Sequence, residues 1–225
     1  MSTSQSSTLF GRRRRRIEQR DLMMDSRSAR KHQAILDAAT TVFLNKGYAG
    51  TSMDDIAKLA AVSKQTVYKH FADKEKLFAE IVLATTDRVD AMVDLVADIP
   101  ADADALDENL TSLARQFLAA LTHPKVIQLR RLIIANADAF PELGAAWYEQ
   151  GFERVLATLA ATFQRLTNQG LLKTDDPMLA AHHFAGLLLW IPVNQAMFHG
   201  GAQHSEADLN RYAEGGIRTF LAAYA

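Results

Sequence analysis

The chain of 225 residues contains no cysteine and only 5 proline and 11 glycine residues. Without cysteine it can form no disulfide, thiolate zinc finger, iron–sulfur cluster or catalytic thiol, and it suits a reducing compartment. No stretch approaches the roughly 18 uninterrupted apolar residues of a membrane span. A polar segment, not an apolar one, follows the five consecutive arginines at 12–16, which argues against a secretory signal. We therefore expect a cytoplasmic protein.

The net charge of −1 hides an asymmetry along the chain. Residues 1–78 contain 15 Lys/Arg and 8 Asp/Glu, whereas residues 79–225 contain 10 and 18. Most of the basic excess falls in residues 1–31, with 9 basic and 3 acidic side chains. A basic first part joined to an acidic second part predicts a polyanion as the partner of the first.

Residues 1–26 are rich in Ser and Arg and contain few apolar side chains. Such a segment buries too little surface to offset its ordering entropy, so we predict a disordered basic N-terminal arm. Three interpretations of the arginine run remain open: an arm that wraps DNA, a solvated tail, or a segment upstream of a true start at Met23 or Met24.

Apolar residues recur at helical spacing from Ser28 to the end of the chain, and no alternating β-branched run competes with them. Proline and glycine fall between the periodic segments, as start and stop signals do. The pattern predicts an all-α fold of nine helices, at about 28–46, 51–60, 64–70, 74–98, 104–121, 124–138, 141–169, 177–199 and 205–224.

The segment TSMDDIAKLAAVSKQTVYKHFADKEKLF, residues 51–78, carries most of the functional information. Two short helices are joined by Ala-Val-Ser and followed by a longer helix, which is the layout of a helix-turn-helix. Val67 and Phe71 are spaced to face the core, leaving polar side chains for the major groove. Gln can read adenine, Lys favours guanine acceptors, and the Thr methyl can meet thymine.

This segment lies within a run of about 50 residues, AILDAATTVFLNKGYAGTSMDDIAKLAAVSKQTVYKHFADKEKLFAEIV, that resembles the N-terminal domain of TetR/AcrR-type transcriptional regulators. Carried over position by position, the resemblance implies DNA contacts by Thr51, Ser52, Lys64, Gln65, Thr66, Tyr68, Lys69, His70 and Lys74. Of these, His70 and Lys74 would contact phosphate. One departure is Ala61, where the family commonly has a turn glycine. If the turn needs a positive φ, alanine costs about 1 kcal/mol there.

The segment RRLIIANADAFPELGAAWYEQGFERVLATLAATFQRLTNQGLL resembles the AefR-like subset of TetR C-terminal domains. Together, the two resemblances imply a helix-turn-helix DNA-binding domain at 27–78 and an all-helical domain at 79–225 that binds a ligand and dimerises through its last two helices. The eighth predicted helix is apolar on more than one face, which agrees with burial in a homodimer.

Several side chains of the second domain are candidates for binding an effector, although aromatic residues at helical spacing are also typical of a plain core. They are Phe117, Gln128, Arg131, Asn136, Trp147, Phe152 and Trp190. We predict no metal and no cofactor, because the adjacent His182 and His183 point about 100° apart and no i, i+4 histidine pair occurs.

We therefore predict a ligand-responsive DNA-binding transcriptional regulator that acts as a repressor. It would bind a pseudo-palindromic operator as a homodimer, with half-sites roughly 34 Å or a multiple apart, and a small apolar or amphipathic effector would release it. The alternative is a sequence-nonspecific architectural DNA-binding protein driven by the basic arm, which leaves the large acidic domain unexplained. The chain has no phosphate-binding loop, nucleophile elbow or H-E-x-x-H motif, so we do not expect an enzyme.

Overall fold

The computed structural model of the protein describes residues 5–84, 89–199 and 204–225, with side chains described from Arg27 onward. The chain divides into two compact units, Met1–Ile81 and Val82–Ala225. Within the described ranges every regular element is a helix. The predicted all-α fold is therefore confirmed.

The first unit is built from α1 (Gln5–Gly50), α2 (Met53–Leu59), α3 (Lys64–His70) and the greater part of α4 (Lys74–Ala84). Its core is formed by apolar side chains with at most 9% exposure, among them Val67 and Phe71, which were predicted to face inward, and Ile35, Leu36, Ala38, Ala39, Val42, Phe43, Met53, Ile56, Leu77 and Phe78. The 3.6-residue spacing of the apolar residues thus gives one buried face on each helix.

Helix α1 begins at Gln5, earlier than the predicted start near Ser28. The backbone of residues 5–26 is helical where the composition predicts disorder; these residues include many good helix formers, among them Arg, Gln and Leu. Near the other end, Gly47 has a positive φ of 72°, which suits a glycine. The side chains of the arginines at 12–16 lie outside the described residues, so DNA contact by the arm stays a prediction.

Side-chain caps set the starts of three helices in the first unit. Ser52 accepts a hydrogen bond from the Asp55 amide at 3.1 Å, and Ser63 accepts one from the Thr66 amide at 3.1 Å. Asp73 accepts one from the Lys76 amide at 2.7 Å. Each cap satisfies an amide that would otherwise lack a partner in the first turn, which explains why these short helices begin where they do.

The second unit contains seven α-helices and one π-helical turn in its described part: α5 (Val89–Ala97), α6 (Leu106–Leu121), α7 (Pro124–Ile134), α8 (Pro141–Trp147), the π turn (Tyr148–Glu153), α9 (Arg154–Asn168), α10 (Pro177–Phe198) and α11 (Glu206–Tyr224). Four buried phenylalanines form the centre of its core. Phe184 lies 5.5 Å from Phe163 and 5.3 Å from Phe220, between ring centroids, and Phe117 packs edge-on against Phe184.

Besides α1, three predicted helices differ in detail from the structure, and one of them, predicted at 124–138, ends at Ile134. The segment 141–169 is interrupted by the π turn Tyr148–Glu153, which the apolar periodicity does not reveal. The segment 74–98 corresponds to α4 and α5, on either side of residues 85–88, which lie outside the described residues. Along the described part of the chain, no helix is both long and apolar enough to cross a membrane.

Candidate functional site

Helix α3 presents a polar face to solvent. Val67 is fully buried and Phe71, which ends the helix, is 3% exposed, so these two side chains anchor α3 in the core of the first unit. Lys64, Gln65 and Lys69 are exposed, and Tyr68 is 45% exposed. The predicted recognition residues therefore share the side of α3 that is free to enter a groove, apart from Thr66, whose hydroxyl lies 2.8 Å from that of Ser63.

The turn between α2 and α3 has left-handed backbone geometry at Ala61, with φ of 53°. The Ala61 amide donates to the Lys58 carbonyl at 3.3 Å, and the Val62 amide donates to the Ala57 carbonyl at 3.1 Å. These bonds close the end of α2 in the manner of a Schellman motif, which usually carries glycine at this place. Alanine accordingly adopts a conformation that disfavours any residue with a Cβ.

The exposed Lys64 ammonium forms an ion pair with Asp54 of α2, at 2.9 Å. This carboxylate raises the pKa of Lys64 above its ordinary value. Because both side chains are more than half exposed, the pair contributes little to stability, and a phosphate or base can take the place of Asp54. The ion pair holds the Lys64 side chain towards α2.

Thr51 and Ser52 shape the start of α2. Thr51 is buried, and its hydroxyl donates to the Gly47 carbonyl at 2.7 Å. The Ser52 hydroxyl lies 2.8 Å from an Asp55 carboxylate oxygen, in addition to capping the helix. Both predicted DNA-contacting hydroxyls are thus already engaged within the first unit, and their contact with DNA stays a prediction.

Lys74 lies in a cage formed by Tyr48, in the last turn of α1, and Thr51, which follows α1. Its ammonium donates to the carbonyls of Tyr48, at 2.9 Å, and Thr51, at 3.0 Å, and it sits 4.4 Å from the centroid of the Tyr48 ring. An ammonium has three N–H donors, so one remains for a phosphate. Lys74 therefore holds the start of α2 against α4, a role that the spacing of the sequence did not indicate.

His70, at the end of α3, is partly buried beside another histidine. The rings of His70 and His32 are 5.7 Å apart, and His32 stacks on Phe71 at 4.7 Å while its Nε2 lies 2.5 Å from a Glu80 carboxylate oxygen. Burial lowers the pKa of His70 below its ordinary value, and the positive charges of His32, Lys69 and Lys31 add to the effect. The lowered pKa favours the neutral form of His70, which can still donate one hydrogen bond, and its contact with phosphate stays a prediction.

The predicted effector-binding residues do not form one cluster. Phe117 belongs to the aromatic core of the second unit, and Gln128 is exposed. The Asn136 amide donates to the Leu132 carbonyl at 2.7 Å, which completes the end of α7. Trp190 is 72% exposed on α10, which favours a subunit interface for this side chain. Whether any of these four contacts an effector stays a prediction.

The other three predicted effector residues lie on α7, α8 and the π turn, half-buried. Arg131 of α7 donates from Nη2 to the Ala196 carbonyl in the last turn of α10. Trp147 ends α8, and Phe152 of the π turn stacks with Tyr148 at 5.8 Å. A π turn inside a helix often marks a functional site.

Arg130 is a candidate that the sequence analysis missed. Its guanidinium lies 5.6 Å from the centroid of the Trp147 ring, and burial lowers its pKa below the ordinary value. The signal available in the sequence was a pair of adjacent arginines on a helix, PKVIQLRRLII, that contains no acidic residue.

Helix α10 leaves an apolar stripe uncovered. The stripe comprises large side chains that are between 42% and 82% exposed: Leu179, Leu187, Trp190, Ile191 and Phe198. The opposite side of α10 packs on α9 and α11, and Gly216 of α11 approaches so closely that an added Cβ would lie 2.7 Å from Leu188 Cδ2. An exposed apolar surface of this extent usually marks an interaction site.

The adjacent histidines of α10 have separate local partners. His182 Nδ1 lies 2.8 Å from the Met178 carbonyl, and His183 Nδ1 lies 2.5 Å from the Tyr224 hydroxyl of α11. Among the residues whose side chains are described, no group of three or more His, Asp or Glu side chains is arranged to hold a metal ion.

Two family models match the chain. The model of bacterial regulatory proteins of the tetR family matches residues 35–81, and the model of the C-terminal domain of AefR-like transcriptional repressors matches residues 108–225. The HTH-type transcriptional regulator YhgD of Bacillus subtilis (strain 168) is 32% identical over 183 residues, which cover 79% of this chain and 88% of YhgD.

Solved structures agree with these matches. A TetR-family protein from Mesorhizobium loti MAFF303099 is 53% identical in sequence and superposes with a TM-score of 0.80, covering 88% of this chain and 98% of that one. The flavonoid-responsive regulator FrrA is 33% identical and superposes with a TM-score of 0.67. The match covers 87% of this chain and 97% of the FrrA chain.

Proposed function

Because the chain belongs to the TetR family of bacterial transcriptional regulators, we propose that it represses transcription from a pseudo-palindromic operator and that a small-molecule effector releases it. The observation that carries this proposal is the exposed polar face of α3, with Lys64, Gln65 and Lys69 directed away from the core. Base edges in a major groove are read by side chains of this kind. Such a regulator acts where the chromosome is, in the cytoplasm.

The proposed operator-binding species is a homodimer formed through α10 and α11. The exposed apolar stripe of α10 supports this, since a second copy would remove Leu187, Trp190 and Ile191 from water. A two-fold dimer presents two copies of α3, so the bound DNA would carry two inverted half-sites roughly 34 Å or a multiple apart.

The proposed effector is small and amphipathic and binds the second unit. Half-buried Trp147 and Phe152 offer an aromatic surface, and Arg131 offers a polar anchor. FrrA is named as flavonoid-responsive, which supports an aromatic effector for a chain that shares 33% of its sequence. The effector would weaken operator binding only by binding the DNA-bound and free states with different affinity.

The architectural alternative requires DNA binding without base preference. It assigns no role to the polar face of α3 or to the exposed stripe of α10, and neither family model that matches the chain describes such proteins. A regulator that reads bases accounts for both features.

Selection of DNA from a random pool by the full-length chain tests the proposal. We expect enrichment of an inverted repeat, bound with one dimer per site. Fluorescence anisotropy on that repeat then measures release by candidate aromatic compounds. Recovery of no preferred sequence would reject sequence-specific repression and favour the architectural alternative, because nonspecific binding rests on phosphate charge alone.

A further inference from the structure

Arg130 and Arg131 form a cationic pair without an acidic counterpart. They are adjacent on α7, both are half-buried, and α7 itself contains no Asp or Glu. No carboxylate of the described residues lies within ion-pair distance of either guanidinium, although acidic residues outnumber basic ones 18 to 10 in residues 79–225. Among the described residues, half-buried Arg165 of α9 also lacks a carboxylate partner but donates to two backbone carbonyls, and Arg218 lacks one but is exposed.

Three other arginines of the second unit have counter-charges. Arg115 pairs with Glu214 at 3.1 Å, Arg154 with Asp90 at 2.6 Å, and Arg211 with Asp208 at 3.6 Å. These three guanidiniums are about half or more exposed and could do without a partner. Arg130 and Arg131 of α7 are more buried, so a counter-charge matters more for them, because a cation removed from water costs free energy unless it is paired.

The present contacts of the pair leave hydrogen-bonding capacity unused. Arg131 donates from Nη2 to the Ala196 carbonyl, but its Nε is buried and makes no hydrogen bond within the described residues. Arg130 lies over the Trp147 ring, a contact that leaves its in-plane N–H donors unaccounted for. A guanidinium binds a carboxylate through two parallel N–H donors, which is the interaction that this site lacks.

We propose that the effector is an aromatic organic anion whose carboxylate binds Arg131, with Arg130 contributing positive charge and Trp147 contacting the aromatic body. This inference rests on the proposed function and narrows the effector class. The π turn Tyr148–Glu153 directly follows Trp147 and contains two further aromatic residues, Tyr148 and Phe152, whose rings stack on each other. A carboxylate bound by Arg131 would supply its missing counter-charge and accept hydrogen bonds from its free donors.

Titration calorimetry on the full-length protein tests the proposal with three carboxylates and their uncharged amides: benzoate and benzamide, cinnamate and cinnamamide, 2-naphthoate and 2-naphthamide. Phenyl phosphate serves as a fourth probe, since it carries a phosphate on an aromatic ring. We expect at least one carboxylate to bind at least tenfold more tightly than its amide. Arg131→Met should remove that preference, whereas Arg131→Lys, which keeps the positive charge, should retain part of it.

Arg115→Met is the matched control, because it removes an arginine from the same unit that already has a carboxylate partner. We expect it to keep the preference for the carboxylate. Arg131→Met should also leave the thermal unfolding midpoint of the ligand-free protein within about 2 °C of the wild-type value, since it removes a charge with no counter-ion. A larger fall of the unfolding midpoint would show that Arg131 serves instead to stabilise the end of α10 through the Ala196 carbonyl.

The proposal is wrong if the amides bind as tightly as the carboxylates, if the preference survives Arg131→Met, or if none of the carboxylates binds. Tighter binding of phenyl phosphate than of every carboxylate would contradict the carboxylate assignment. Failure of the proposed function is a separate result, because it appears in the DNA selection as the absence of a preferred sequence. A protein that selects an inverted repeat and is released by amides keeps the proposed function and loses this inference.

Discussion

At the scale of single residues, Ala61 is the residue whose backbone fits its side chain least well. Among the described residues it is the only one other than glycine with a positive φ. A left-handed conformation costs a residue with a Cβ about 1–2 kcal/mol. The neighbouring Ala60 has an ordinary φ of −74°, which makes it a matched control within the same turn.

We expect Ala61→Gly to raise the free energy of unfolding by about 0.5–1 kcal/mol, because glycine removes the strain but gains entropy in the unfolded chain. Ala60→Gly should leave it unchanged or lower it. Urea denaturation at one fixed protein concentration measures both, since the stability of a dimer depends on concentration. A loss of stability in Ala61→Gly would contradict the strain at this turn.

Lys74 is the second residue whose role the structure changes. The resemblance assigns it to phosphate, yet two of its donors already bind the Tyr48 and Thr51 carbonyls. Lys74→Met should lower the free energy of unfolding by about 1.5–3 kcal/mol, the range for hydrogen bonds to a charged group. Lys69→Met, which removes an exposed lysine of α3, should change it by no more than about 0.5 kcal/mol.

The same two variants separate support of the turn from phosphate contact. If Lys69 binds a phosphate, Lys69→Met lowers the slope of log affinity against log salt concentration by about one unit. Equal unfolding free energies for the two variants would show that the carbonyl contacts of Lys74 contribute nothing to the fold.

At the scale of helices, the sequence allowed most starts to be predicted, for local physical reasons. Ser52, Ser63 and Asp73 are caps that act within three residues of their own position. Pro124, Pro141 and Pro177 each begin a helix, because a first-turn proline lacks only a donor that would be unpaired anyway.

Features that depend on contacts distant in sequence could not be predicted. The cage around Lys74 joins residues 23 and 26 positions apart, and Arg130 meets Trp147 across two helices. No local residue type indicates the π turn Tyr148–Glu153. The predicted DNA-binding face was accessible from sequence because it lies on one short helix, whereas the predicted effector residues are spread over five elements.

Close packing of α10 against α11 depends on Gly216. Gly216→Ala would place a Cβ 2.7 Å from Leu188 Cδ2, and Leu188 is only 1% exposed, so a shift of its side chain would disturb the surrounding core. We expect a loss of about 1–2 kcal/mol in the free energy of unfolding, from overpacking partly offset by better helix propensity. Gly215→Ala, where a Cβ would meet nothing within 4 Å, should instead stabilise α11 by up to about 1 kcal/mol.

Thermal unfolding followed by circular dichroism at one protein concentration compares the two glycine variants. Opposite shifts of the midpoint are expected from adjacent positions of one helix. Shifts of the same sign would mean that helix propensity, and not the approach to Leu188, decides the outcome.

At the scale of the whole molecule, the exposed stripe of α10 is proposed to join two copies of the chain. Trp190→Glu should raise the dissociation constant of the dimer about 100-fold or more, because the carboxylate would be buried without a partner. Ile134→Glu is the matched control: Ile134 of α7 is 58% exposed but lies outside the stripe, so the dimer should persist. Light scattering after size-exclusion chromatography measures both masses.

A wild-type chain that is monomeric at micromolar concentration would contradict the proposed dimer, as would a Trp190→Glu variant that remains dimeric. The same variant also tests operator binding. If two copies of α3 must bind together, Trp190→Glu should weaken binding to an inverted repeat far more than binding to one half-site.

The central claim is that α3 reads base edges in two symmetry-related half-sites. The most direct test compares the DNA sequences selected from one random pool by the wild-type chain, by Gln65→Ala, and by Gln33→Ala, which changes an exposed glutamine of α1. We predict that Gln65→Ala loses base preference at one position in each half-site, at a cost of about 1–3 kcal/mol per position, while Gln33→Ala selects the wild-type sequence. An unchanged base preference in Gln65→Ala, or a pool from which no inverted repeat is enriched, would contradict it.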